Sequence, residues 1–136
     1  MNSDIPKQFL ELAGLPVLLH SIYSFLKFDP SLQLVIALPE KYFSYWDDLC
    51  KKYSFSYVHS VAKGGETRFQ TVKNALRLIP DDRIVAIHDA VRPLVSHDTI
   101  EKGYRDARTF GNAIPVIPVS ESIRWSEGRK NQTVDR

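Results

Sequence analysis

At 136 residues the chain can form one domain with a real core, and its 43% hydrophobic and 25% charged content is ordinary for a globular protein. A net charge of +2 is too small to point to nucleic acid or an anionic membrane, and a single cysteine, Cys50, excludes an internal disulfide. No apolar run approaches the ~20 residues that span a bilayer, and the first residues lack the charged-then-apolar order of a signal peptide, so a cytoplasmic protein is expected.

Residues 1–14 form a polar lead-in with Pro6, Lys7 and Gln8, closed by Gly14. Pro16 suits the first position of a helix, where its absent N–H costs nothing. Leu15, Leu18, Leu19, Ile22, Phe25 and Leu26 continue that helix to about Lys27. Asp29-Pro30 marks a turn. Residues 32–38 read as a strand stopped by Pro39. Residues 40–53, with Tyr42, Phe43, Trp46 and Leu49 at helical spacing, read as a second helix. Trp46 and Trp125 read as packing residues. Residues 56–61 make a short strand broken by Gly64-Gly65. Thr67-Arg68-Phe69-Gln70 has the form of a capping box, opening a helix whose apolar face is Phe69, Val72, Ala75, Leu76 and Ile79.

Residues 84–93 read Ile-Val-Ala-Ile-His-Asp-Ala-Val-Arg-Pro. A short β-branched run suits a strand covered on both faces, delivering His88, Asp89 and Arg92 to its carboxyl end, where open α/β sheets bind ligands. Ser96 or Asp98 caps a further helix with Ile100, Tyr104 and Ala107 inward and Gly111 at its close. Residues 113–119 form another apolar strand, which Pro115 and Pro118 confine to an edge or bend it. Residues 120–136 are polar, and 122–125 with 132–134 suit the arms of a hairpin. Strands alternating with helices imply an α/β domain, a mostly parallel sheet with helices on both faces. The alternation starts on a loop and stops in a polar segment, so both ends look cut.

Three features would converge on one sheet edge. Lys7, on a proline-stiffened loop, can reach an anion, although a solvated surface lysine is the commoner case. Gly64-Gly65-Glu66-Thr67-Arg68 opens a helix, where free amides and the helix dipole favour anions; the plainer alternative is an ordinary strand-to-helix turn. Asp89 can place a hydroxyl or a metal–phosphate, and Arg92 can clamp phosphate, against the alternative of a loop aspartate capping amides beside a solvated arginine. His88 reads as a structural residue that orients a neighbour. No Walker-type loop, Gly-x-Ser-x-Gly elbow or zinc-spaced Cys/His set occurs.

Pro6-Lys7-Gln8-Phe9-Leu10, Gly14-Leu15-Pro16-Val17-Leu18, His20-Ser21, Gly64-Gly65-Glu66-Thr67-Arg68 with Thr71-Val72, His88-Asp89-Ala90-Val91-Arg92-Pro93, Pro118-Val119-Ser120-Glu121-Ser122 and Thr133-Val134-Asp135-Arg136 together resemble one family. It is the 2-C-methyl-D-erythritol 4-phosphate cytidylyltransferases of non-mevalonate isoprenoid biosynthesis, and the likeness runs in order over essentially the whole chain. It implies a single nucleotidyltransferase domain, a three-layer α/β/α Rossmann-like fold whose residues 120–136 begin a dimerisation β-arm. It also implies the reaction of CTP with methylerythritol phosphate to give the CDP-linked alcohol and pyrophosphate. By that resemblance Lys7 is the catalytic lysine on the α-phosphate. Gly65, Glu66, Arg68 and Thr71 surround cytosine and ribose, and Asp89, Ala90 and Arg92 place ribose, metal–triphosphate and substrate. Ser122 stands where the family commonly has threonine, and Arg136 binds the polyol phosphate. Mg2+ or another divalent cation, held mainly by the CTP phosphates, and a homodimer are implied with them.

The family also opens with a strand and a Gly-rich loop and continues past Val-Asp-Arg, neither of which this chain contains. Weak CTP binding and little or no turnover are therefore expected of these 136 residues. Alternatives are a ribitol 5-phosphate cytidylyltransferase, another sugar nucleotidyltransferase of the same fold, and a non-catalytic binding or dimerisation module.

Overall fold

The computed structural model describes residues 5–118, 123–128 and 130–134. A 3-10 turn at Lys7–Phe9 leads into a two-stranded hairpin, β1 (Glu11–Leu12) and β2 (Leu15–Pro16). Its loop is Ala13-Gly14, with φ of 49° and 83°. Two left-handed residues in succession suit the right-handed twist of a tight hairpin, which the polar lead-in did not suggest. Helix α1 (Val17–Phe28) follows, with Pro16 at the cap rather than inside the first turn. Asp29 ends it and turns the chain by accepting from the Ser31 amide at 2.8 Å and its hydroxyl at 2.7 Å.

Strand β3 (Leu34–Leu38) runs to Pro39, and a 3-10 turn (Glu40–Tyr42) leads into α2 (Phe43–Lys52). Strand β4 (His59–Lys63) returns parallel to β3, in register from Leu34↔His59 to Leu38↔Lys63. It lies about two residues later than the expected 56–61, because Phe55 is drawn into the core and Val58 is left exposed. Helix α3 (Arg68–Leu76) packs across both strands. Helix α4 (His97–Phe110) is capped by Ser96 and closed by Gly111 at φ 87°, as its ends suggested, and it lies against α1. Ile100 is buried, with Tyr104 and Ala107 half-buried beside it. The hairpin β5 (Ile123–Glu127) and β6 (Lys130–Val134) pairs antiparallel, as expected.

The core joins Leu18, Leu19 and Ile22 of α1 to Ile36 and Leu38 of β3, Trp46 and Leu49 of α2, and Phe9 and Phe55. Alternate strand residues face opposite ways, so α1 and α2 cover the Ile36/Leu38 face and α3 the other. That is a helix–sheet–helix layering. Trp46 is fully buried; its indole donates to His59 Nε2 at 3.0 Å, while His59 Nδ1 donates to the Tyr57 carbonyl at 2.7 Å. Cys50 packs beside this core, and burial pushes its thiol pKa up.

Three expectations are corrected. Residues 84–87 are not a strand: a strand requires a hydrogen-bonded neighbour, and none of the described residues runs alongside them. Residues 113–118 are likewise unpaired, with Ile114, Val116 and Ile117 at least 80% exposed; Pro115 and Pro118 remove two of the donors a ladder would use. Phe69, read as inward, is 73% exposed: it lies in the first turn of α3 and points to solvent, while Val72, Ala75, Leu76 and Ile79 line the cleft. The described sheet is therefore one parallel pair and two small antiparallel pairs. No described helix is long and apolar enough to cross a membrane.

Candidate functional site

At the carboxyl end of β4 the Gly64 amide donates to the Leu38 carbonyl at 2.8 Å and turns the chain away. The Gly65 amide donates to Thr71 Oγ1 at 3.0 Å. A Cβ at Gly65 would lie 2.4 Å from Gln70 Cβ, so only glycine permits this approach. Thr67 then caps α3: its hydroxyl accepts from the Gln70 amide at 3.1 Å, and the Gln70 side chain accepts from the Thr67 amide at 3.2 Å. The expected capping box is present in full. It places Arg68 at the first helical position.

Arg68 Nη1 donates to Asp89 Oδ1 at 2.6 Å, and Arg92 Nε donates to Asp89 Oδ2 at 3.0 Å. Arg92, and after it Arg68, holds the Asp89 carboxyl below the usual carboxylate range. Asp89 is 31% exposed, whereas Arg68 and Arg92 are 70% and 75% exposed. Each guanidinium has five N–H donors and gives one bond to Asp89, so most remain free. The cluster carries one net positive charge and presents two fixed guanidinium groups to solvent, an arrangement suited to phosphate oxygens.

Helix α1 holds the Asp89 segment from beneath. Ser21, itself buried, donates to the Ala90 carbonyl at 3.1 Å. His88 Nε2 donates to the Arg92 carbonyl at 2.9 Å, and its ring meets Phe25 edge-on at 5.0 Å. His88 is thus the orienting residue expected. Ser21 was named only as part of a resemblance; its bond to Ala90 spans 69 positions, and nothing local in the sequence signals it.

Gly65, Arg68, Thr71, Asp89, Ala90 and Arg92 therefore form one connected group. Lys7 stands on a separate anchored turn. Phe9 is buried against Tyr42 and Tyr45, with ring centroids at 5.7 and 5.1 Å. Glu11 accepts from Lys52 Nζ at 2.8 Å and from the Tyr53 hydroxyl. Lys7 itself is exposed, and no ion pair or hydrogen bond joins it to Asp89. Glu66 is exposed in the bend before Thr67 and makes no polar contact among the described residues. Ser122 and Arg136 lie outside the described residues.

A divalent cation prefers several oxygen ligands. Here Asp89 is the carboxylate on hand, and both its oxygens are taken by arginines. That set does not fit a dedicated protein cage. His97, Asp98 and Glu101, the His/acid group of metal-like spacing among the described residues, lie exposed on α4.

The family profile "IspD: 2-C-methyl-D-erythritol 4-phosphate cytidylyltransferase" matches residues 1–136. The chain belongs to this family. It is 46% identical to the 2-C-methyl-D-erythritol 4-phosphate cytidylyltransferase of Porphyromonas gingivalis, over 100% of this chain and 60% of that protein. It is 44% identical to the enzyme of that name from Phocaeicola vulgatus, over 100% of this chain and 62% of the relative. The fold matches a crystal structure of 4-diphosphocytidyl-2C-methyl-D-erythritol synthase with a TM-score of 0.75 at 24% identity, covering 96% of this chain and 64% of that one. The chain thus spans about three fifths of the length of the curated relatives it matches.

Proposed function

We propose that this chain carries the CTP-gripping half of a cytidylyltransferase, in which CTP and 2-C-methyl-D-erythritol 4-phosphate give CDP-methylerythritol and pyrophosphate. The observation that carries the reading is the Arg68–Asp89–Arg92 cluster set against the Gly65 turn. Gly65, Glu66 and Thr71 line the place for cytosine and ribose, where a glycine backbone lets a base edge approach closely. Asp89 and Ala90 face the ribose and triphosphate, and Arg92 faces the polyol phosphate, with Ser122 and Arg136 completing that side.

The polyol phosphate oxygen attacks the α-phosphorus in line; an O–P bond forms as the bond to pyrophosphate breaks. No covalent protein intermediate is required. The protein's task is positioning and neutralising the charge on the equatorial oxygens. Lys7 supplies that charge from its anchored turn, and loss of such a group typically lowers the rate on the order of 10²–10³-fold. A divalent cation, when bound, rides on the triphosphate oxygens, as Mg2+ commonly does. The working unit is a homodimer through residues 120–136, whose β5–β6 hairpin supports that role. A cytoplasmic setting is supported by the single unpaired Cys50.

Thermal unfolding with nucleotides tests this. For a dissociation constant near 1 mM, 10 mM CTP stabilises by about 1.4 kcal/mol, a shift of roughly 3–6 °C for a domain of this size. UTP should shift less, and methylerythritol phosphate should add to CTP more than ribitol 5-phosphate does. Equal shifts with UTP overturn the cytidine assignment; a larger ribitol 5-phosphate effect overturns the polyol.

A further inference from the structure

The segment that carries Lys7 lies along helix α2. Phe9 is buried against Tyr42 and Tyr45 at the start of that helix, with ring centroids at 5.7 and 5.1 Å. Two residues on, Glu11 reaches the other end of the helix, where Oε1 accepts from Lys52 Nζ at 2.8 Å and from the Tyr53 hydroxyl. Residues 9–11 therefore follow α2 from its first turn to its last, and the Lys7–Phe9 turn stands at its start. Strand β3 ends at the same place. The Tyr42 amide donates to the Pro39 carbonyl at 2.9 Å, and the Gly64 amide donates to the Leu38 carbonyl at 2.8 Å. The Lys7 turn and the Gly64-Gly65 turn thus share one end of the β3–β4 pair.

A single buried ring fixes a point but not a direction. About Phe9 alone the Lys7 turn can pivot, and the two-residue strands β1 and β2 are too short to hold it by themselves. A second anchor removes that rotation. Glu11 stands on β1 opposite Pro16, which has no N–H to give to the ladder; its side chain takes two donors from α2 instead. Lys52, and after it Tyr53, holds the Glu11 carboxyl below the usual carboxylate range. The Lys52 ammonium also lies over the Tyr53 ring, 4.8 Å from its centroid. On the other side His20 Nε2 donates to the Leu12 carbonyl at 2.6 Å, tying the same strand to α1. Many exposed ion pairs contribute almost nothing. This one differs in that donors from two successive residues converge on one oxygen, two residues from a buried ring.

We propose that Glu11 is a positioning residue for Lys7: through Lys52 and Tyr53 it locks the hairpin to α2 and so fixes where the lysine stands relative to the Arg68–Asp89–Arg92 cluster. The inference rests on the reading of Lys7 as a phosphate-facing charge and adds what holds that charge in place. Glu11 itself touches no substrate. Its effect is geometric, and a misplacement of about 1 Å at a reacting phosphate can cost on the order of 100-fold in rate.

The test is a CTP titration of four versions of the 136-residue chain: the parent, Glu11→Ala, Lys7→Ala and the double variant. Hydrogen–deuterium exchange is read alongside. Glu11→Ala should quicken exchange at 7–12 by about threefold or more while leaving 34–38 unchanged, and should weaken CTP binding by about three- to fivefold. Lys7→Ala should weaken it by about tenfold. Adding Glu11→Ala to Lys7→Ala should cost nothing further, because the clamp acts through the lysine. Glu11→Gln, which still accepts both bonds, should recover most of the loss. If Glu11→Ala misfolds by circular dichroism, Tyr53→Phe, which removes one donor and keeps the ring, takes its place in the same cycle with a smaller loss. The proposal is overturned if Glu11→Ala leaves CTP affinity unchanged, if its loss persists undiminished beside Lys7→Ala, or if Glu11→Gln binds as weakly as Glu11→Ala. A Lys7→Ala chain that binds CTP as tightly as the parent removes the reading of Lys7 itself, and the proposal with it.

Discussion

Replacing Gly65 by alanine should destabilise the chain far more than its single methyl suggests. The new Cβ would sit 2.4 Å from Gln70 Cβ, with Gln70 C at 3.1 Å and the Thr71 amide nitrogen at 3.2 Å. Carbon atoms pack at about 3.5–4.0 Å, so the overlap is on the order of 1 Å. Neither partner is the tip of a flexible side chain. Relief therefore requires moving the 64–66 turn or the first turn of α3. Either shift disturbs the Gly65–Thr71 bond and the capping box through Gln70. A lost cap costs about 1 kcal/mol, a lost hydrogen bond about 1 kcal/mol, and residual overpacking about 1 kcal/mol or more. The stiffer unfolded chain returns about 0.4–1 kcal/mol. A net loss of roughly 2–3 kcal/mol is expected. Gly103→Ala is the natural control, since a Cβ there meets nothing within 4 Å inside α4; it should stabilise by up to about 1 kcal/mol. Urea unfolding followed by circular dichroism measures both. A Gly65→Ala chain as stable as the parent would refute the close-approach argument.

Trp46→Phe removes a fully buried indole and its bond to His59; a loss of about 2–3 kcal/mol is expected in the same assay. Ser21→Ala releases the Ala90 carbonyl. It should cost about 1 kcal/mol and also weaken CTP binding, and an unchanged CTP affinity would deny Ser21 a positioning role. Asp89 has a pKa lowered by Arg92 and Arg68. Its contribution is therefore present above the unfolded value of about 3.9 and lost as the pH falls through the lower folded value. The urea midpoint of the parent should exceed that of Asp89→Asn at pH 7, and the gap should close only below about pH 4. A gap that already closes near pH 6 would contradict the double arginine clamp.

Local chemistry was legible where it acts within a few residues. Thr67 and Gln70 announced the capping box, Ser96 and Gly111 the limits of α4, and Asp29-Pro30 the first turn. The meeting of the 64–68 turn with Asp89 and Arg92 was legible as a shared sheet edge, but the direct pairing of Arg68 with Asp89 was not, because it joins two segments 21 residues apart. The hairpin at Ala13-Gly14 was missed, since alanine is not a usual left-handed residue and gives no turn signal. Residues 84–87 carry every mark of a buried strand, yet strand formation depends on neighbours that a composition pattern does not supply. Phe69 fails because helical spacing names a face only approximately, and a residue in the first turn can fall outside the packed arc. Ser21 became visible only through its long-range bond to Ala90.

The central claim is that the 64–71 turn and the 88–92 segment form one cytidine nucleotide site. Amide chemical-shift mapping of the labelled chain during a CTP titration tests it most directly. Saturable shifts should appear at Gly65, Glu66, Arg68 and Thr71 together with Asp89, Ala90 and Arg92, and Arg68→Ala should abolish them. Shifts elsewhere in the chain, or shifts at the turn that survive Arg68→Ala unchanged, would contradict it.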